Sequence, residues 1–357
     1  MDRRSFVKSS ALLGAASLAG IIKPSDAFAS VKGPRKTGTA KPSGKPVLRF
    51  KDGEFRILQL TDTHLIYDRP EEYAKTFARI ENVVAEEKPS FLALTGDNVT
   101  GEGPTRKAMW NKYLGFLDGF GVPYCVVYGN HDAEAGMSRP EMSSWVVSGR
   151  NCVNTLDPVS VELADVRLPV YGADGSVKLE LYFLDSHDYS SSNGFGGRVP
   201  GYAWFKPEQV AWLKRECESS VAENGGVHIP SMAFFHIPLV EYDTAWNKSK
   251  FRCGVMGESV CSGEINSGMF LAMLEGGNIM GVFSGHDHNN NYITDHYGIA
   301  LAYGGFSGDN TTYTDLKHSL RVIIAKEGRR EFDTWLHDEY GNRICKVAYS
   351  NGEFKNY

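Results

Sequence analysis

The chain has 357 residues, 42% of them hydrophobic and 23% charged, with a formal net charge of −5. The apolar share is enough for a large core, and 12% aromatic content argues against disorder. A mildly acidic chain has no general attraction to nucleic acid or anionic lipid, although metal ions in a site can still hold phosphate locally.

Residues 1–29 read as an export signal. A basic start (MDRRSFVKSS) precedes the apolar stretch Ala11 to Ile22 and an Ala-Phe-Ala ending suited to cleavage after Ala29. The apolar stretch is too short to span a bilayer, which takes about 20 apolar residues. Arg3-Arg4-Ser5-Phe6-Val7-Lys8 resembles the twin-arginine signal, with Val7 in place of Leu; a general secretory signal is the alternative. The expected location is the periplasm or the exterior of a bacterial cell, with no stable membrane insertion after cleavage. Residues 30–46 (SVKGPRKTGTAKPSGKP) have the composition of a flexible linker, and one domain is expected over 47–357.

Within that domain, strands alternate with helices. Apolar runs at 55–60, 91–94, 124–128, 179–184, 232–235 and 279–283 are expected strands. Helical spacing covers 71–87, ended by Pro89, and helices are also expected at 105–119, 207–219 and 268–274. From Tyr292 onward the pattern is mostly strand. Apolar strands imply sheets covered on both faces, and alternation with helices implies a layered α/β fold. The strand-rich tail is expected to form a second sheet packed on the first.

Most of these strands end in side chains able to bind a metal. Asp62 and His64 follow the first, Asp97 and Asn98 the second, and Asn130, His131 and Asp132 the third. His236 follows a later strand, and His286 and His288 another. In open α/β sheets the carboxyl ends of strands border the ligand crevice. Carboxylate, imidazole and amide groups suit divalent ions such as Zn, Mn or Fe, and Asp97 is the natural candidate to bridge two of them. Two ions about 3.5–4 Å apart would activate a bridging hydroxide and clamp phosphoryl oxygens for in-line displacement.

The blocks Asp62-x-His64, Gly96-Asp97-Asn98, Gly129-Asn130-His131-Asp132, His236 and Gly285-His286-x-His288 stand in an order that resembles the calcineurin-like metallophosphoesterase family. The runs LYFLDSHDYS, AFFHIPL and GHDHNN are similar to its purple-acid-phosphatase-like branch. The resemblance implies an α/β fold, an αββα sandwich of two mixed β-sheets flanked by helices, with the metal site at the C-terminal ends of the strands. It implies that Asp62, His64 and His288 hold one ion, that Asn130, His236 and His286 hold the other, and that Asp97 bridges both. It implies that His131 stands near the phosphoryl group as a charge stabiliser or proton donor, and that Asp132 orients it. Where purple acid phosphatases carry an iron-binding Tyr, three residues after the bridging Asp, this chain has Thr100, so a purple ferric centre is not expected.

Asn98 is a further candidate substrate contact. Asp185, His187 and Tyr189 end another strand and are either substrate contacts or loop structure. The six cysteines all follow residue 29; Cys253 and Cys261 are the best candidate disulfide pair, with free buried thiols the alternative. The expected activity is hydrolysis of a small phosphorylated substrate, a monoester in preference to a diester of a nucleotide or phospholipid. The alternative from another class is a non-catalytic envelope binding protein with a relict site. The partner is thus a small phosphate compound, with no nucleic acid expected.

Overall fold

A computed structural model describes residues 44–101, 103–191, 193–194, 197–310 and 313–357. The expected export signal and residues 30–43 of the expected linker lie outside the described residues.

Two mixed sheets pack face to face, with helices on both outer surfaces. The first runs Glu353–Asn356, Arg343–Ser350, Glu331–Asp338, Ser319–Lys326, Glu54–Leu60, Phe91–Thr95, Tyr124–Val127. Its last three strands are mutually parallel, and the tail strands join them antiparallel, with Val322 opposite Leu58. The second runs Leu48–Arg49, Val166–Tyr171, Val177–Phe183, Ser231–Phe234, Ile279–Ser284, Ile299–Tyr303, Ile293–His296, Arg252–Cys253. Its central members, from Val177–Phe183 to Ile299–Tyr303, are parallel.

The fully buried strands Phe91–Thr95, Tyr124–Val127, Ser231–Phe234 and Ile279–Ser284 match the apolar runs in the sequence. They are covered twice. Ile57, Phe91, Phe183, Phe234 and Phe283 fill the space between the sheets. Leu58, Leu94, Trp110 and Tyr113 belong to the core under the helices Pro70–Glu87, Pro104–Gly119 and Arg139–Val147. Tyr182, Leu213, Met273 and Leu301 belong to the matching core under Pro207–Glu223, Glu241–Lys248 and Met269–Gly276. Burial on this scale, at roughly 25 cal/mol per Å² of apolar surface, is what fixes the strand ends in space. Pro70, Pro104 and Pro207 each sit in a first helical turn, where a missing N–H costs nothing.

Two expectations are corrected. The tail does not form a sheet of its own: its first two strands, Ile293–His296 and Ile299–Tyr303, join the second sheet. Its strands from Ser319 onward extend the first sheet through Ser319–Lys326, whereas the apolar strands from Val177 to Ser284 belong to the second. The disulfide joins Cys253 to Cys345, not to Cys261, with Cα atoms 5.5 Å apart. Cys253 lies on an edge strand of one sheet and Cys345 on a strand of the other, and both pack against the inter-sheet core. Cys261 instead directs its backbone N–H to Asp287.

Among the described residues, no helix is long and apolar enough to cross a membrane.

Candidate metal centre

The parallel strands of both sheets end at one place. Gln59 ties the sheets together there, its Nε2 donating to Thr95 Oγ1 (2.9 Å) and to the carbonyl of Ser284 (3.1 Å). Beyond this link the backbone turns abruptly. Asp62, His64, Asp97 and His286 all have φ between 40° and 80°, in the left-handed region that side chains with a Cβ avoid. Strain at four adjacent functional positions persists only where the surroundings enforce it. Glycines give the necessary room: a Cβ on Gly96 would collide with the His236 ring, and one on Gly129 with the Asp97 carboxylate.

Two sets of ligand atoms result, each within 4.8 Å of one another: Asp62, His64 and His288, and Asp97, His236 and His286. All six residues are buried. The Asp97 carboxylate lies between the sets, its Oδ2 3.2 Å from His236 Nε2 and 3.6 Å from His64 Nε2. His64 Nε2 and His288 Nε2 are 3.2 Å apart, and Asp62 Oδ1 is 3.4 Å from His288 Nε2. His236 donates from Nδ1 to the Thr95 carbonyl (2.9 Å), which turns Nε2 inward. Asn130 donates from Nδ2 to the Tyr189 hydroxyl (3.0 Å) and places Oδ1 3.2 Å from His236 Nε2. The amide oxygen therefore faces the cluster.

The electrostatics suit cations. Burial drives His64 down to about 4 and His286 down to about 3, so both imidazoles are neutral with lone pairs available. Burial opposes charge on His236 as well, but the Asp97 carboxylate prevails and raises it to about 10, so an ion bound here takes the place of that imidazole proton beside Asp97. Asp97 itself is held well below the usual carboxylate range by His236 and His64, against the effect of burial. His286 Nε2 is buried with no hydrogen-bond partner among the described residues. A buried polar atom without a partner costs about 1–3 kcal/mol, and a metal ion would satisfy it. The donor set of imidazole, carboxylate and amide oxygen fits a pair of divalent transition ions.

The family profile for calcineurin-like phosphoesterases matches residues 55–290. The chain belongs to that family. A probable inactive purple acid phosphatase 14 of Arabidopsis thaliana is 32% identical, over 82% of this chain and 80% of its own length. Phosphatase DCR2 of Saccharomyces cerevisiae is 29% identical over 71% of this chain and 48% of its own. Among solved structures, a dimetal phosphatase from Danio rerio shares the fold at a TM-score of 0.56 with 13% identity, covering 83% of this chain and 99% of that one. The calcineurin-like fold thus accounts for the two-sheet architecture and for ligand clusters at the strand ends. Thr100, at the position of the purple enzymes' Tyr, turns its hydroxyl to the His64 carbonyl (3.3 Å) and supplies no phenolate.

Around the ligands, the structure reassigns several residues. Asp132, expected to orient His131, is fully buried and accepts from the backbone N–H groups of Gly129 (2.8 Å), Asn98 (3.0 Å) and Val99 (3.0 Å) and from Asn98 Nδ2 (3.1 Å). It binds two ligand-bearing loops together, and its carboxylate makes no hydrogen bond to the His131 ring among the described residues. His131 Nδ1 lies 2.7 Å from Glu134 Oε2, and its backbone N–H donates to Asp97 Oδ1. Asn98 spends both amide hydrogens internally, on Asp132 and on the Val127 carbonyl. Asp185 pairs with Arg139, and His187 Nε2 lies 2.7 Å from Gln209 Oε1, so these two serve the loop. Of that trio, Tyr189 alone reaches the centre, through Asn130.

The sequence reading also missed Asp287, which accepts from Tyr303 (2.6 Å) and the Cys261 N–H and fixes the turn between two ligands. Its position inside the His-x-His block was the available signal. It missed Tyr313, stacked on His288, and had Tyr202, edge-on to His286, only as one aromatic of the 186–206 loop where specificity was expected. Both come from distant loops that carry no local pattern.

Proposed function

We propose that this chain is an active two-metal phosphoesterase that prefers small monoesters, with Asp62, His64 and His288 on one ion, Asn130, His236 and His286 on the other, and Asp97 shared. The observation that supports this most is the inward-facing, buried ligand set, in which His286 Nε2 has no hydrogen-bond partner among the described residues. Ions held there would supply the positive charge that gathers phosphoryl oxygens and lowers the pKa of the attacking water. The chain's own residues do the rest. Asp97 fixes the spacing of the two sites. The His131 side chain, 38% exposed beside the His64 ring, is open to a bound ester and would protonate the departing oxygen. The aromatic loop 186–206, which brings Tyr189 and Tyr202 to the rim, would contact the leaving group.

The names of the plant relatives, which include "inactive", favour one rival: a binding protein with a relict site. No ligand position is replaced in this chain, which supports the enzyme. The basic start with Arg3-Arg4 supports export by the twin-arginine route to a bacterial envelope. The ions would be Fe, Mn or Zn. Nucleic acid is not expected as a partner, because the one concentrated run of basic residues is the 30–46 segment.

The test is elemental analysis of the purified protein together with turnover of p-nitrophenyl phosphate and bis-p-nitrophenyl phosphate. Two ions per chain, faster monoester turnover and its loss in Asp97→Ala and His286→Ala are expected. Two ions without turnover of either ester would establish the binding protein instead.

A further inference from the structure

His131 has a partner that the family blocks do not contain. Glu134 sits three residues on, and its two carboxylate oxygens are used separately. Oε2 lies 2.7 Å from His131 Nδ1, and Oε1 accepts from the Tyr189 hydroxyl at 2.7 Å. The same hydroxyl accepts from Asn130 Nδ2 at 3.0 Å. One continuous chain therefore runs from His131 through Glu134 and Tyr189 to the amide that faces the metal cluster. The segment carrying Glu134 is held in place: buried Arg106, from the helix Pro104–Gly119, donates from Nη1 to the carbonyls of both Asp132 and Glu134 at 2.8 Å. Ala135 and Gly136 follow in the left-handed region, which ends the turn that carries Glu134. The acid expected to do this work, Asp132, has its oxygens filled by backbone and amide donors.

We propose that Glu134 is the positioning residue for His131: its Oε2 accepts a hydrogen bond from Nδ1–H, so that Nε2 faces the ester oxygen and, in the imidazolium form, carries the proton given to that oxygen, while Tyr189 locks His131 and Asn130 into one unit. The inference rests on the phosphoesterase reading for its catalytic consequence, but not for its structural one. An imidazole whose Nδ1–H is fixed by a carboxylate has one defined tautomer and ring orientation. That orientation matters most when the leaving oxygen is basic and needs the proton, and little when the leaving group departs as a stable anion.

The experiment compares wild type with Glu134→Gln and Tyr189→Phe, each loaded with zinc. First, long-range nitrogen–proton correlation spectra of the histidine rings are recorded. Wild-type His131 is expected to keep a proton on Nδ1, hydrogen-bonded to Glu134, in its neutral as well as its imidazolium form, and Glu134→Gln to show the neutral form with that preference lost or mixed. An identical His131 signal in both would overturn the proposal, whether or not the protein turns over any ester. Second, kcat and KM are measured for phenyl phosphate and for 2,4-dinitrophenyl phosphate. Glu134→Gln is expected to lower kcat about 10–100-fold for the phenyl ester and less than about 3-fold for the dinitrophenyl ester, with KM and metal content unchanged. Tyr189→Phe is expected to show a weaker version of the same split. Equal losses on both esters would mark a merely structural role and overturn the proposal. A wild type that binds two ions yet hydrolyses neither ester refutes the phosphoesterase reading, and the nitrogen spectra then still decide the role of Glu134.

Discussion

Replacing Asp132 by alanine separates the role the structure gives this residue from the one the family resemblance implies. Its side chain is fully buried and accepts four hydrogen bonds, three from backbone N–H groups and one from Asn98 Nδ2. Each donor left without an acceptor costs about 1–3 kcal/mol, so the gross loss is about 8 kcal/mol at the midpoint. Against that, the wild-type carboxyl carries its own penalty: burial raises it to about 6. That shift corresponds to about 3 kcal/mol at neutral pH, which the variant recovers. The net is about 5 kcal/mol of destabilisation, falling to about 3 kcal/mol if water enters the space. Urea unfolding of the metal-free protein at pH 7.5 measures it. Asp132→Asn, which keeps one acceptor oxygen, should lose clearly less. A change below about 1 kcal/mol for Asp132→Ala, with activity nonetheless abolished, would refute this reasoning and return Asp132 to a role beside His131.

Other expectations follow from single features. Burial raises the Asp165 carboxyl to about 6, where it accepts from the Asp185 N–H and from Gln209. A folded pKa above the unfolded one means that the wild-type benefit is fully present below about pH 4 and is lost as pH rises through about 6. Whatever fixed cost Asp165→Asn carries, wild type should therefore lose up to about 3 kcal/mol relative to it between pH 4 and pH 7.5; a difference independent of pH by urea titration would contradict this. Gly129→Ala places a methyl group against the Asp97 carboxylate and should cost about 1–3 kcal/mol with weakened metal retention, read by thermal unfolding and elemental analysis. Cys345→Ser opens a bridge between residues 92 apart and should destabilise the oxidised protein by about 2–4 kcal/mol, whereas Cys261→Ser should not.

The ligand positions were legible because metal binding dictates residue type at a turn that follows an apolar strand. Asp62, Asp97 and His286 could be picked out from composition and order alone, and the structure brings them together. The strands themselves were legible where both faces are buried, as in Phe91–Thr95 and Ile279–Ser284. Val166–Tyr171 was not singled out, because its middle is half-exposed and interrupted by Pro169. Which sheet a strand joins depends on pairing across long sequence distances, such as Val322 with Leu58, and nothing local encodes that choice. The same holds for Cys253 and Cys345, where nearness in sequence pointed to the wrong partner. For Asp132 the family resemblance implied an orienting role toward His131, whereas the backbone there turns its carboxylate inward to Asn98 and Val99. Glu134 lay within reach of sequence reasoning, three residues from His131, but Tyr189 joins it from a separate loop.

Anomalous X-ray diffraction from crystals of the purified, metal-loaded protein tests the central claim most directly. Two peaks are predicted, one about 2.0–2.2 Å from His286 Nε2 and His236 Nε2 and the other at the same distance from His64 and His288, with Asp97 between them. A single peak, or metal bound elsewhere with His286 Nε2 uncoordinated, would contradict it.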